Sequence, residues 1–358
     1  MEKMVQMSKS TARSSNIELL RILAVMGVVI LHYNYSEIGG AFKYAVAGSM
    51  NYHILYFLES LVACAVDLFV LITGYFLSDA KRVRLIKPVM LVVQVVVFSE
   101  FFYLLEVWLG QKAFSVSTAV KMLIPYNWFV FLYCTLYLIS PYLNILLCSL
   151  PDKVLKKMVA LLFVLFSVYP TLLDFLEQVT GSSRSGLSTI GLDGSGGGYT
   201  IVNFVFIYIL GAFLKKNTII SGNRKKKLLI LLTDIIAIYI FSLHFSFSWE
   251  YCNPLVIIEA TLLFSIFRSV NLGPNRAVNT IAKASFTVYL SHAFFLRYTN
   301  VEKYVVGNIF MMLFHIGVTC VIIYGISWLL YWGYTKIMNP LNGLINNQFG
   351  FFEISVEE

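Results

Sequence analysis

Apolar runs alternate with short polar stretches along this chain from residue 17 to residue 335. A run of about 20 apolar residues, or somewhat fewer with polar flanks, crosses the hydrocarbon core of a bilayer as a helix. The pattern predicts ten such helices, near 17–35, 52–76, 85–109, 126–149, 155–173, 200–214, 228–247, 254–269, 284–299 and 305–335. The sixth, eighth and ninth are short, and the last is long enough to tilt or to break near Gly317 or Gly325. The expected fold is all-α, a polytopic transmembrane helix bundle of about ten spans. The first run is too long for a signal-peptide core and no small-residue cleavage pattern follows it. Residues 1–16 therefore read as a retained N-terminal tail, 17–336 as one transmembrane domain and 337–358 as a short C-terminal tail.

Composition sharpens this reading. Hydrophobic residues make up 58% of the chain and charged residues only 13%, which is not soluble-domain usage. The net charge of +8 first reports topology, because cytoplasmic loops collect Lys and Arg. If the ten helices alternate in direction, 20 basic residues fall on one side and six on the other: Lys43, Lys112, Lys121, Arg184, Arg297 and Lys303. That bias puts both termini in the cytoplasm. The cluster "NRKKK", Asn223 to Lys227, then faces anionic lipid headgroups, and no nucleic-acid role is expected. The glycine-rich "GLDGSGGGY", Gly191 to Tyr199, lacks the strand and Lys-Ser/Thr pair of a phosphate loop and reads as the tip of an external loop. Five scattered cysteines without a CxxC pair read as packing residues.

Against this apolar background a few ionisable residues stand out. Arg21 and His32 lie in the first span, eleven residues apart. On a helix that separation is about 16 Å of rise and three turns plus about 20°, so both side chains share one stripe. A charge in hydrocarbon costs at least about 2–3 kcal/mol, so such groups normally face a bundle interior or an aqueous cavity. Arg21 has a simpler reading as an interfacial residue or a partner of Glu18 at i−3, and His32 as an interfacial residue beside Tyr33 and Tyr35. Together they resemble an anion-holding guanidinium with a proton-moving imidazole deeper on the same path. By height, Glu59, Glu100 or Glu259 is placed to orient His32, and Asp67 to pair with Arg21; helix–helix hydrogen bonding explains any one acid equally well. Ser285, Tyr289 and His292 lie at i, i+4 and i+7 and form a second polar stripe, gluing helices or lining a cavity. His53, in an external loop, and His315, alone in the last span, read as structural, and no histidine spacing suggests a metal.

Five segments in order resemble the acyltransferase type 3 family, membrane proteins that O-acylate surface carbohydrates. "LLRILAVMGVVILHY" is similar to its Arg-x10-His first helix. "VDLFVLITGYFLS", Val66 to Ser78, is similar to its segment ending Ser-Gly-Phe/Tyr-Leu, with Thr73 in place of serine. "KRVRLIKP", Lys81 to Pro88, resembles its cytoplasmic basic stretch, although lysines break the strict Arg-x-x-Arg. "NWFVFLYCTLYLISPYLN", Asn127 to Asn144, and "ASFTVYLSHAFF", Ala284 to Phe295, resemble its Trp-to-Pro and Ser-x-x-x-Tyr-Leu-x-His helices.

The resemblance implies a membrane O-acetyltransferase. It would move an acetyl or other acyl group from cytoplasmic acetyl-CoA, a co-substrate, to a hydroxyl of a surface or exopolysaccharide or its lipid-linked precursor. Its place would be a bacterial cytoplasmic (inner) membrane, as a multi-pass protein. Under that expectation His32, with Glu59 and Tyr289, is the catalytic set, and His32 acts as general base or as acyl carrier. Arg21, Arg82, Arg84 and Lys87 meet the CoA phosphates, and Trp128, Ser285 and His292 meet substrate. Some relatives carry an extra extracellular domain that completes the transfer, so a separate external partner is a further expectation. Two other classes remain: a transporter or flippase using the Arg21/His32 stripe as an ion or substrate path, and a non-catalytic acyl sensor or assembly subunit.

Overall fold

The computed structural model describes residues 14–125, 127–182, 186–187, 196–217, 223–349 and 352–356. Helices lie at each of the ten positions that the apolar pattern predicts. They include α1 (Ser15–Asn34), then α2 (Ala41–Tyr44), and the pair α3 (Met50–Val62) and α4 (Ala65–Leu77), which breaks at Ala63 and Cys64. After strand β1 (Arg82–Arg84) come α5 (Ile86–Trp108), α6 (Val116–Met122) and α7 (Trp128–Ser149). Next, α8 (Asp152–Phe163) and α9 (Tyr169–Thr180) join through a π-helical turn at Val164–Val168. The chain continues through α10 (Ile201–Lys216), α11 (Arg224–Ser242), α12 (Pro254–Arg268), α13 (Arg276–Ile281) and α14 (Ser285–Arg297). It closes with α15 (Val301–Val305), α16 (Ile309–Phe349) and strand β2 (Glu353–Ser355).

Among the described residues, seven helical stretches are long and apolar enough to cross a membrane: Ser15–Asn34, Met50–Leu77, Ile86–Trp108, Trp128–Ser149, Asp152–Thr180, Ser246–Arg268 and Ile309–Leu341. The helices α10 and α14 are too short, as their sequences suggested, with 16 and 13 residues. The eighth expected span is longer than it read, because the turn Ser246–Trp249 leads into α12. Instead α11 falls short of the mark, since it opens on the consecutive basic residues Arg224 to Lys227. The last helix does not break at Gly317 or Gly325. His53, expected in a loop, lies in α3 with its Nδ1 3.0 Å from the Tyr239 hydroxyl.

The C-terminal stretch is more structured than a tail. Helix α16 runs through Pro340 to Phe349, and β2 then pairs antiparallel with β1, Arg82 opposite Ser355 and Arg84 opposite Glu353. This ribbon is the only sheet among the described residues.

Helix α1 buries apolar residues on two sides, as expected of a helix surrounded by others. One side, Ile17, Leu20 and Ala24, joins a core built from α4, α7, α10 and α12. The other side, Ile22, Val25, Val29 and Tyr33, joins a second core with α3, α14 and α16. Arg21 and His32 therefore ride on the helix that both halves of the bundle grip. In the first core, α4 and α10 meet backbone to backbone. A Cβ on Gly74 would lie 2.1 Å from the Tyr208 carbonyl oxygen, and one on Gly211 would lie 2.3 Å from that of Leu71. Small residues allow such approaches, and in a lipid environment close packing is a main source of helix association. Asn144 of α7 secures the end of α4, donating from Nδ2 to the Leu77 and Ala80 carbonyls at 2.8 Å each, while its Oδ1 accepts from the Tyr208 hydroxyl at 2.7 Å.

Candidate active site

The ring nitrogens of His32 and His292 are held alike. His32 Nδ1 lies 2.9 Å from the Val28 carbonyl oxygen and His292 Nδ1 lies 3.1 Å from that of Val288, each four residues back on its own helix. A carbonyl oxygen only accepts, so in both rings Nδ1 carries the proton and Nε2 presents a lone pair. The two rings meet edge to face across the α1–α14 contact, with centroids 4.6 Å apart. His292 is buried, and its Nε2 has no hydrogen-bond partner. His32 is half-buried, and its ring centroid lies 6.4 Å from that of Tyr35, which is exposed.

A cavity of about 670 Å³ approaches this pair between α1, α4, α5, α7 and α14. Arg21, Lys87 and Lys283 line it together with Glu18, which pairs with Arg21 at 3.2 Å. Its deeper wall is formed by Val28, Val66, Phe69, Phe129 and Tyr289. Val28 is the residue whose carbonyl holds His32, and Tyr289 is one turn from His292, so the cavity reaches the turn below the imidazoles. Its lining is mostly apolar, with Thr73, Gln94, Tyr133 and Ser285 interspersed. These polar groups are tied to the framework. Tyr289 donates to Asn127 Oδ1 at 3.0 Å, Gln94 donates to Thr287 Oγ1 at 3.0 Å, and the Ser285 hydroxyl lies 3.3 Å from that of Tyr324. Such a passage suits a long, flexible ligand with an anionic head: cations where the head rests, apolar walls along the arm, fixed polar groups near the reacting end.

A family model described as an acyltransferase domain matches residues 14–332. The chain belongs to the acyltransferase type 3 family. No curated protein and no solved structure matches the chain. The match extends from the start of α1 into α16, and the apolar helices along it make this a multi-pass membrane acyltransferase.

Within this acyltransferase the sequence-selected residues separate into those at the cavity and those away from it. Arg21, Lys87, Ser285 and Tyr289 line the cavity, and His292 joins His32 above it. Arg82 and Arg84 do not line it; they sit on β1, with Arg82 paired to Glu353 at 3.2 Å. The strand pairs with the C-terminal segment, and Arg82 turns its guanidinium toward Glu353 there. Trp128 packs on Tyr199 at 4.5 Å and Tyr251 at 6.0 Å, while its neighbour Phe129 supplies the cavity wall. No carboxylate hydrogen-bonds His32 among the described residues. Glu59 instead accepts from Asn34 Nδ2 at 2.7 Å, and Arg21 takes Glu18 rather than Asp67. Glu259 and Asp67 are buried without a hydrogen bond to the histidines, and His315 bridges α1 and α16 through the Tyr33 hydroxyl at 2.8 Å.

Sequence reasoning did not assign Lys283, Asn127 or the Val28 carbonyl. Lys283 read only as a loop charge. The Val28 carbonyl was within reach of inference, because a helical histidine whose Nδ1 faces back along its helix meets the carbonyl of residue i−4.

Proposed function

We propose that this protein transfers an acetyl or other acyl group from cytoplasmic acetyl-CoA to a hydroxyl of a surface or exopolysaccharide, or of its lipid-linked precursor. The observation that carries this reading is the continuity of one passage: cations Arg21, Lys87 and Lys283, then apolar wall, then the turn beneath His32 and His292. CoA phosphates would rest on the cations, and the pantetheine arm would thread the apolar section toward the imidazoles. The bare Nε2 of His32 is the group that acts on the reacting centre, as base or nucleophile. Tyr289 lines the cavity, and its hydroxyl, which donates to Asn127 Oδ1, would donate to the developing oxyanion by exchanging that bond.

In the proposed topology α10, α11 and α14 also cross the bilayer, giving ten spans with both termini in the cytoplasm of a bacterium and the protein in its inner membrane. The excess of Lys and Arg on one set of loops supports it. A separate external protein that completes the transfer belongs to the same proposal.

The test is the glycan itself. O-acetyl signals in the NMR spectrum of the surface polysaccharide should vanish on deletion of the protein and stay absent with His32→Ala, although the variant inserts normally. Restoration of acetylation by His32→Ala would overturn the assignment. Loss of glycan export, with acetylation of the residual glycan intact, would favour a transporter.

A further inference from the structure

The structure holds two imidazoles where a single general base needs only one, and it leaves the deeper one without a partner. Burying an unpaired ring nitrogen is costly. His292 Nε2 bears that cost between tightly packed α1, α14 and α16, although its own Nδ1 is satisfied. An unprotonated ring nitrogen left open beside a second imidazole is placed to accept a proton during turnover. The pair is also divided by access. His32 is half-buried beside exposed Tyr35, whereas His292 is enclosed next to Tyr289, which lines the cavity.

Resting on the acyl-transfer reading, we infer that His32 carries the acyl group covalently and that His292 is the second catalytic imidazole, taking the acceptor's proton. In the first step the His32 Nε2 lone pair attacks the thioester carbonyl carbon. The carbon–sulfur bond breaks with its electron pair on sulfur, giving CoA thiolate and an acylimidazolium whose Nδ1 proton stays on the Val28 carbonyl. In the second step the acceptor hydroxyl oxygen attacks the acyl carbon and its proton passes to His292 Nε2. The carbon–nitrogen bond electrons return to His32, which is again neutral. The departing thiolate takes a proton from water as CoA leaves, and His292 returns its proton to water after the second step, so the net products are the ester and CoA thiol. The 4.6 Å ring separation brings the proton acceptor next to the acyl carrier. The two Nδ1 bonds to Val28 and Val288 fix both Nε2 atoms in the required unprotonated state.

The experiment uses the full-length protein in lipid nanodiscs, acetyl-CoA radiolabelled in the acetyl group, and polysaccharide stripped of its O-acetyl groups by mild base. Without polysaccharide, wild type should release one CoA per chain and hold label on the peptide containing His32; polysaccharide should then discharge it. His292→Ala should charge normally but discharge to polysaccharide about 100-fold more slowly or worse, the scale of a lost general base. Hydroxylamine, which attacks without help from a base, should discharge both proteins equally. His32→Ala should not charge. Transfer by wild type with no label passing through the chain, label on the His292 peptide, or discharge by His292→Ala at the wild-type rate would each overturn the inference. Absence of both charging and transfer in wild type would instead sink the acyl-transfer reading beneath it. The position of the wild-type label needs no variant and decides the carrier step; should His292→Ala fail to fold, His292→Gln, which keeps the side chain's bulk, reads the discharge step in its place.

Discussion

Single residues divide the cations of this protein into two groups. Arg21, Lys87 and Lys283 line the cavity, whereas Arg82 is engaged by Glu353 and, like Arg84, sits on β1. A charge-assisted hydrogen bond to a phosphate is worth about 1.5–3 kcal/mol, so Lys87→Ala or Lys283→Ala should raise KM for acetyl-CoA by roughly 10- to 100-fold with kcat nearly unchanged. Arg82→Ala should leave KM where it was, which steady-state CoA release measures. The reverse ranking would move the donor's head to the strand. The chain sequence showed Arg21 and His32 on one stripe because helical periodicity is local and regular. It did not show that, among the described residues, a backbone carbonyl rather than an acid orients His32. Choosing among Glu59, Glu100 and Glu259 by height ignored rotation and inter-helix position, and the nearest polar neighbour of Glu59 is Asn34.

Among the elements, the α4–α10 contact sets the shape of the cavity wall, since α4 supplies Phe69, Thr73 and Phe76 to it. Gly74 and Gly211 let the backbones touch, and a methyl group at either would collide with a carbonyl oxygen. Gly74→Ala should therefore destabilise by about 1–3 kcal/mol, the usual range for overpacking, and lower the unfolding temperature in detergent. An unchanged Tm would contradict so close an approach. Thr73, Gly74 and Tyr75 were legible as part of a family-like segment, but the physical demand on Gly74 was not, because it comes from Tyr208, far along the chain. The same holds for Asn144, which ties α7 to the end of α4 and to α10. At the C-terminus, pattern reading ended the last element near residue 336, whereas α16 continues to Phe349 and β2 pairs with β1. A run of mixed polar residues carries no sign of a strand whose partner lies in a distant basic loop.

Across the whole molecule, the apolar pattern placed every principal helix, because about 20 apolar residues in a row have one economical structure in lipid. What it could not resolve was the standing of α10, α11 and α14, which are short or charged at one end and owe their place to the helices around them. If they cross the bilayer as proposed, single cysteines replacing Lys226 and Lys303 in a cysteine-free background should label from opposite sides. A membrane-impermeant maleimide added to intact cells should reach position 303 and spare position 226. Labelling of both from outside would contradict the ten-span arrangement.

The central claim is that an acyl group entering through the cation-lined cavity is handled at His32. Nanodisc-embedded protein supplied with acetyl-labelled acetyl-CoA and de-O-acetylated surface polysaccharide tests it most directly. Wild type should move label into the polysaccharide as base-labile ester, and His32→Ala, equally well folded, should move none. Equal transfer by the two proteins would contradict the account.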